Sequence, residues 1–256
     1  MIRWQRVPRV RVCADVSTRW HLPALQCVLS NQTRRCHSMD DEDKYLELKQ
    51  LRDIKSEEFY DLQGQHRKYF YYIDLQGRLF LENTRPKNIA TSLKSAKFLK
   101  FFFSQIRPNV PPATSHESDD ADLFLEYPYR SPCGKEMNFI KCADRPFVFE
   151  DLYQDERTKQ WVFAYGGGAL KAPFDPAKLK ISLTTGRLYH DLRTKYDTDA
   201  GPPVALVKSQ LAVELGKHII VHDAEEGNEQ ESTGDAEVII GEIEWQEQRY
   251  PIKAIE

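Results

Sequence analysis

The sequence predicts an α+β fold of mostly antiparallel strands with one main amphipathic helix over 86–107. Three observations predict it. Short runs rich in β-branched and aromatic residues recur between turn-like groups from residue 69 onward. A single stretch repeats apolar residues at three- and four-residue spacing. The connections have hairpin length, too short for parallel crossovers.

The elements follow in order. Tyr69-Phe70-Tyr71-Tyr72-Ile73, then Asp74-Leu75-Gln76-Gly77, then Arg78-Leu79-Phe80-Leu81 reads as strand, turn, strand. Thr84 can cap a helix that admits Pro86 in its first turn. Ile89, Leu93, Ala96, Leu99, Phe103 and Ile106 then form its stripe, which Arg107-Pro108-Asn109 ends. Such a stripe is a core face rather than a ligand box. Residues 109–122 read as a surface loop. Strands are expected over 123–129, 137–142, 147–153, 160–165, 169–174 and 179–183, joined as a meander. The segment 204–222 alternates well enough for a long strand pairing back with a second one over 239–255, with a helix as the open alternative. Between them, 223–237 holds seven acids and no base, the composition of a solvated loop.

Charge divides the chain. Residues 1–38 contain seven arginines, no lysine and one acid, Asp15, and after Met39 comes Asp40-Asp41-Glu42-Asp43. Arg-rich, acid-poor composition is that of a mitochondrial transit peptide, which places the protein in the mitochondrion, in the matrix. Pro8 interrupts the amphipathic pattern, and Arg34-Arg35 offers a processing site. The expected organisation is therefore a presequence at 1–38, a charged lead-in at 39–66 and one domain at 67–255. The whole chain has 36 basic and 39 acidic residues. Without residues 1–38 these become 29 and 38, a net charge of −9. So acidic a domain argues against nucleic-acid binding. No apolar run approaches the ~18 residues of a membrane span, so no membrane insertion is expected and the domain reads as soluble. Cys13, Cys27 and Cys36 fall in the presequence, and the remaining Cys133 and Cys142 do not make a disulfide framework.

Tyr69-Phe70-Tyr71-Tyr72-Ile73-Asp74-Leu75-Gln76-Gly77, Ser131-Pro132-Cys133-Gly134, Cys142-Ala143-Asp144-Arg145-Pro146 and Gly186-Arg187-Leu188-Tyr189-His190 resemble uncharacterised protein family 0598, an animal family. The resemblance covers roughly 67–255. It implies mitochondrial association and no activity; the acidic loop and the residues before Gln65 are peculiar to this chain. The pieces 98–106, 143–147 and 204–215 also resemble a bacterial domain of unknown function, number 1285. That resemblance implies small curved sheets packed on helices, proposed for signalling or ligand sensing.

Candidate chemistry is sparse. Cys133 and Cys142 are too far apart in sequence for a paired zinc motif, although His190, His218 and His222 could complete a set. On a strand, His218 and His222 would lie about 13 Å apart. No metal and no cofactor is therefore expected. The enzyme alternative is a Cys-dependent hydrolase or transferase with Cys133 as nucleophile, His190 as base, and Asp144 or Asp191 orienting it. Gly166-Gly167-Gly168 lacks the rest of any phosphate-loop pattern and reads as a strand connection. Arg187, Tyr189 and His190 with Arg145 form the best polar cluster for recognition. The reading that results is a binding or regulatory module, for a small molecule or a protein partner, whose surface draws on 131–146 and 186–190.

Overall fold

A computed structural model describes residues 53–110, 121–197, 203–221 and 238–255. The expected presequence, most of the charged lead-in, most of the 109–122 loop, His222 and the acidic loop lie outside these residues. The described chain is strand-rich with few helices, and its sheets are mixed. The order is α1 (Glu57–Gln65), β1 (Lys68–Ile73), β2 (Leu79–Leu81), α2 (Ala96–Ser104), β3 (Arg107–Pro108), α3 (Ala121–Glu126), β4 (Tyr129–Cys133) and β5 (Glu136–Cys142). There follow β6 (Val148–Gln154), β7 (Trp161–Tyr165), β8 (Leu170–Pro173), β9 (Leu179–Ser182), β10 (Leu188–Asp191), β11 (Val204–Val207), α4 (Ser209–Gly216), β12 (Ile219–Val221), β13 (Ile239–Trp245) and β14 (Gln248–Ile255). Among these residues no helix is long and apolar enough to cross a membrane.

Five strands pair in the order β2-β1-β5-β4-β3 and nine in the order β12-β13-β14-β9-β10-β11-β6-β7-β8. Most neighbours are antiparallel, but β1–β5, β6–β11 and β9–β14 are parallel. The expected meander is thus only partly right. Each parallel pair is separated in sequence by other elements that supply the return path, which hairpin-length spacing alone cannot reveal.

The β1–β2 hairpin is as expected. Asp74 Oδ1 accepts the backbone N–H of Gln76 (2.9 Å) and of Arg78 (2.8 Å), and Asp74 Oδ2 accepts from Arg78 Nε at 2.6 Å. This side chain fixes the turn before the strands pair. The strands expected at 137–142, 147–153, 160–165, 169–174 and 179–183 are present within a residue or two.

Five segments differ. The helix expected over 86–107 forms only from Ala96 to Ser104. Upstream, Asn88 Oδ1 accepts from Ala90 N and Thr91 N, and Thr91 Oγ1 donates to Pro86 O. These local bonds compete with helical ones and hold 86–92 in turns. Residues 121–126 are helical rather than extended. Leu123 and Tyr127 are buried while Leu125 is exposed, the i, i+4 pattern of a helix and not the i, i+2 pattern of a strand. The long strand expected at 204–222 is interrupted by α4, where Leu211 and Leu215 provide the inward stripe and Ala212 N donates to Lys208 O at 2.8 Å. Only β12 pairs back, with Ile219 opposite Ile243. The segment 239–255 folds into a hairpin at Gln246 and Glu247, both at positive φ. Likewise Ser131, Pro132 and Cys133 lie in β4, which falls between the strands expected at 123–129 and 137–142, and the turn to β5 is at Gly134-Lys135.

A single hydrophobic cluster joins the two sheets through α2. Leu99, Phe102 and Phe103 share it with Tyr71, Ile73 and Ile140 of the smaller sheet and with Phe149, Phe163 and Tyr165 of the larger. The Phe102 ring meets Tyr71 edge-on at 4.9 Å, and Ser131 Oγ donates to Phe102 O at 2.8 Å. Full burial of each such side chain is worth roughly 1.5–3 kcal/mol. On the opposite face of the smaller sheet, the buried Glu82 carboxylate accepts from Tyr60 (2.9 Å) and Tyr127 (2.7 Å) and pairs with Lys141 at 3.0 Å. It ties α1, β2, β5 and the end of α3 together.

The three glycines after β7 are positioned by α2. All have positive φ, and a methyl group on Gly167 would lie 2.6 Å from Leu99 Cδ1, whereas one on Gly168 would meet nothing within 4 Å. Gly168→Ala is expected to cost only left-handed backbone strain, ~1–2 kcal/mol. Gly167→Ala is expected to cost a further ~1–3 kcal/mol for overpacking. Urea denaturation of both variants measures the difference; equal losses would show that the turn does not press on α2.

Candidate functional site

The turn that α2 holds down reaches a kink in β6. In the β6–β7 ladder Phe149 pairs with Tyr165 and Asp151 with Ala164, so Glu150 is the extra residue of a β-bulge. A bulge redirects a side chain that a regular ladder would place elsewhere. Here Glu150 Oε1 accepts the backbone N–H of Gly167 at 2.6 Å. The β1–β2 turn closes from the other side: a methyl group on Gly77 would lie 3.1 Å from Val148 Cβ and 3.4 Å from Glu150 Cγ. Lys208 joins them from the corner between β11 and α4, where its own N–H donates to Phe149 O at 3.0 Å. Burial raises the Glu150 carboxyl above the ordinary carboxylate range, while the Gly167 N–H and the Lys208 charge pull it back down.

Glu150, Gly167 and Lys208 form a ridge between two cavities that all three line. One cavity, of about 560 Å³, opens toward α4 and is also lined by Asp151, Glu214 and Leu211. The other, of about 350 Å³, opens toward the β1–β2 turn and the segment before α2, and is also lined by Arg78, Lys94 and Leu93. The acids other than Glu150 lie on one side of the ridge and the bases other than Lys208 on the other. Arg78 is already engaged by Asp74. Among the described residues no side chain accepts a hydrogen bond from the Lys208 ammonium.

The residues nominated from sequence fall in two places. Asp144, Arg145, Arg187 and Tyr189 come together although more than forty residues separate the two segments. Asp144 Oδ2 accepts from Arg187 Nη1 and from Tyr189 OH, each at 2.8 Å. Arg145 Nε lies 3.6 Å from Asp144 Oδ1, and its guanidinium sits 5.7 Å from the Tyr189 ring centre. His190 does not join them. Alternation along β10 turns it into the core, where it is 1% exposed among Phe149, Phe163 and Phe174.

The Cys133–His190–Asp144 arrangement is not assembled. His190 Nδ1 lies 2.6 Å from Asp191 O, and Nε2 lies 3.1 Å from Asp175 N and 3.0 Å from Asp175 O. Both ring nitrogens are thus occupied by backbone groups, leaving none for a thiol; a ring protonated on Nδ1 donates to Asp191 O and accepts from Asp175 N. Asp191 meets the ring through its backbone oxygen; its carboxylate accepts from Lys180 at 2.7 Å. Cys133 and Cys142 occupy opposite ends of β5 and its partner β4, some 20 Å apart along the strand. Burial pushes the Cys142 thiol up to about 12, and it donates to Asp144 O at 3.3 Å. His218 packs edge-on against Trp245. The described residues contain no group of three or more His, Cys, Asp or Glu placed to hold a metal.

Glu150 and Lys208 were not nominated from sequence. The available signal was the adjacent Glu150-Asp151 pair, which breaks a strand's alternation and marks a bulge.

The chain belongs to a family described as a domain of unknown function, DUF4505, which it matches over residues 61–253. It is also similar to two solved structures of DUF1285 family proteins. The one from Shewanella baltica is 17% identical, with 58% of this chain and 91% of that one covered at a TM-score of 0.35. The one from Silicibacter pomeroyi is 16% identical, with 80% and 93% covered at a TM-score of 0.38. Likeness this remote transfers neither architecture nor activity.

His190 supplies a pH test. Burial lowers its pKa below the ordinary histidine value, so the unfolded chain binds the proton more readily. Stability is therefore full above about pH 6.5 and declines as pH falls from there toward the folded-state value. The imidazole resonances of His190 should show no titration near pH 6.5, and the acid-side loss of stability should be shallower in His190→Gln. Ordinary titration in the native protein would contradict the buried, neutral assignment.

Proposed function

We propose that the protein is a binding module whose ligand sits across the Glu150–Gly167–Lys208 ridge. The observation that carries this reading is the segregation of charge on the two sides of that ridge. Asp151 and Glu214 line one cavity and Arg78 and Lys94 the other. A site of opposed polarity favours a molecule with an amine at one end and a carboxylate or similar acid at the other. Leu93 and Leu211 provide apolar wall between the charges. Lys208 would pair with the ligand's acidic end; Glu150, desolvated and fixed by Gly167, would accept from its amine. The ligand class is a small zwitterion, such as an amino acid or a dipeptide.

A second reading keeps the surface first nominated from sequence. Arg145 and Arg187, brought side by side on Asp144, offer guanidinium edges to an acidic partner at the rim of β10. Asp144 already engages both, so this surface has less unspent capacity than the ridge. The arginine-rich segment 1–38 is proposed to direct the chain to the mitochondrial matrix, on its composition alone.

The ridge is tested by ligand-detected NMR on the full chain with amino acids and dipeptides, beside matched compounds lacking either charge. Zwitterions are expected to bind, and loss of either charge to weaken binding by about tenfold. Lys208→Met and Glu150→Gln should each weaken it as well. Binding indifferent to both substitutions, or no binding across the series, would overturn the reading.

A further inference from the structure

The edge of the smaller sheet carries an arrangement that stability alone does not explain. In the β3–β4 pair, Arg107 stands directly opposite Arg130. Residues opposed in an antiparallel ladder project from the same face with Cβ atoms about 4.5–5.5 Å apart, and like charges there repel. An intervening carboxylate would ordinarily compensate. Among the described residues neither guanidinium has an ion pair.

Their hydrogen bonding is equally incomplete. The Nε atoms of Arg107 and of Arg130 are both buried without a hydrogen-bond partner. A buried donor left without an acceptor is destabilising, more so when it is charged. The desolvation of Arg130 and its exposure to the Arg107 charge both lower its pKa, in keeping with two cations crowded together. Tyr196 walls one side, its ring centre 5.2 Å from Arg107 Cζ. Its hydroxyl is fixed by donation to Gln105 Oε1 at 2.8 Å, so the wall is held in place.

One kind of occupant offsets the repulsion. The two Nε atoms are closed to solvent, so an oxyanion would accept from the outer Nη–H groups of both guanidiniums and balance the paired charge that their burial leaves uncompensated. A carboxylate brings one negative charge and two oxygens. The terminal group of a phosphate monoester brings nearly two charges and three oxygens, matching two cations. We propose that Arg107 and Arg130 form a site for the phosphate group of a small phosphomonoester, with the Tyr196 ring beside it. The site shares no residue with the Glu150–Gly167–Lys208 ridge and stands independently of what binds there.

The test is calorimetric titration of the full chain with inorganic phosphate and, separately, with glycerol phosphate and a nucleoside monophosphate. Thermal denaturation is followed with and without each. Saturable 1:1 binding is expected for the organic monoesters, with phosphate alone weaker; phosphate as the tightest of the three would make the free ion the ligand and overturn the monoester assignment. Arg107→Gln and Arg130→Gln should each weaken binding by about tenfold or more. Without ligand, each variant should melt at or above the temperature of the native chain, because one of two repelling charges is gone. That pairing of lost binding with retained stability separates a ligand site from a structural pair. Absence of saturable binding to any probe, binding unchanged in both variants, or variants that lose stability in the absence of ligand would each overturn the proposal.

Discussion

The depth at which α2 is packed governs the rest of the molecule. Leu99, Phe102 and Phe103 lie on one side of a helix that touches both sheets, so the sheets share one core instead of forming two. Close-packed interiors leave no slack for a side chain between elements already in contact. The β7–β8 connection crosses Leu99 and Phe103; a methyl group cannot fit on Gly167 without displacing Leu99, and one on Gly166 would crowd Phe103. Glycine there has a steric cause as well as a conformational one, since each residue of the turn also has positive φ. Lowered onto the helix, the turn presents the Gly167 N–H to the Glu150 carboxylate that the β6 bulge has turned toward it. The cavities on either side of the ridge follow from that sequence of contacts.

Two kinds of polar burial are visible, and they mean different things. Glu82 is surrounded by Tyr60, Tyr127 and Lys141, so its charge is compensated and its role is to fasten α1 and α3 to the smaller sheet. Removing one member of such a buried set typically costs ~3–5 kcal/mol, because the remaining charge is stranded. Arg107 and Arg130 show the opposite condition, with buried donors and no acceptor among the described residues. The Asp144 cluster is intermediate: its carboxylate is engaged, yet Arg145 approaches only to 3.6 Å. Satisfied networks hold a fold, whereas an unsatisfied buried donor costs it stability.

Sequence reading succeeded where local chemistry decides structure. The Asp74–Gly77 turn dictates its hairpin through its own side chain, and the strands between 137 and 183 sit between strong turn signals. It failed where a long-range partner decides. Residues 123–129 and 209–216 carry apolar positions compatible with either period, and only the surfaces awaiting Leu123, Tyr127 and Leu215 select the helix. Residues 86–95 failed for a local reason: Asn88 forms a turn that apolar spacing does not register. The sequence groups Arg145, Arg187 and Tyr189 with His190, but not with Asp144, whose carboxylate is what Arg187 and Tyr189 share. Alternation along β10 sends His190 and Tyr189 to opposite faces, but both faces are buried, so burial alone does not tell them apart. The Arg107–Arg130 opposition depends on register, and the Glu150 ridge on a bulge and a helix depth, neither of which a sequence states.

The central claim is that α2 seats the glycine turn so that Gly167 is held on Glu150. Amide hydrogen exchange at Gly167, resolved by NMR in the native chain and in Glu150→Ala, tests it most directly. The account requires slow exchange in the native protein and markedly faster exchange in the variant, while the Phe102 and Phe103 amides remain protected in both. Fast exchange at Gly167 in the native chain, or protection that survives loss of the carboxylate, would contradict it.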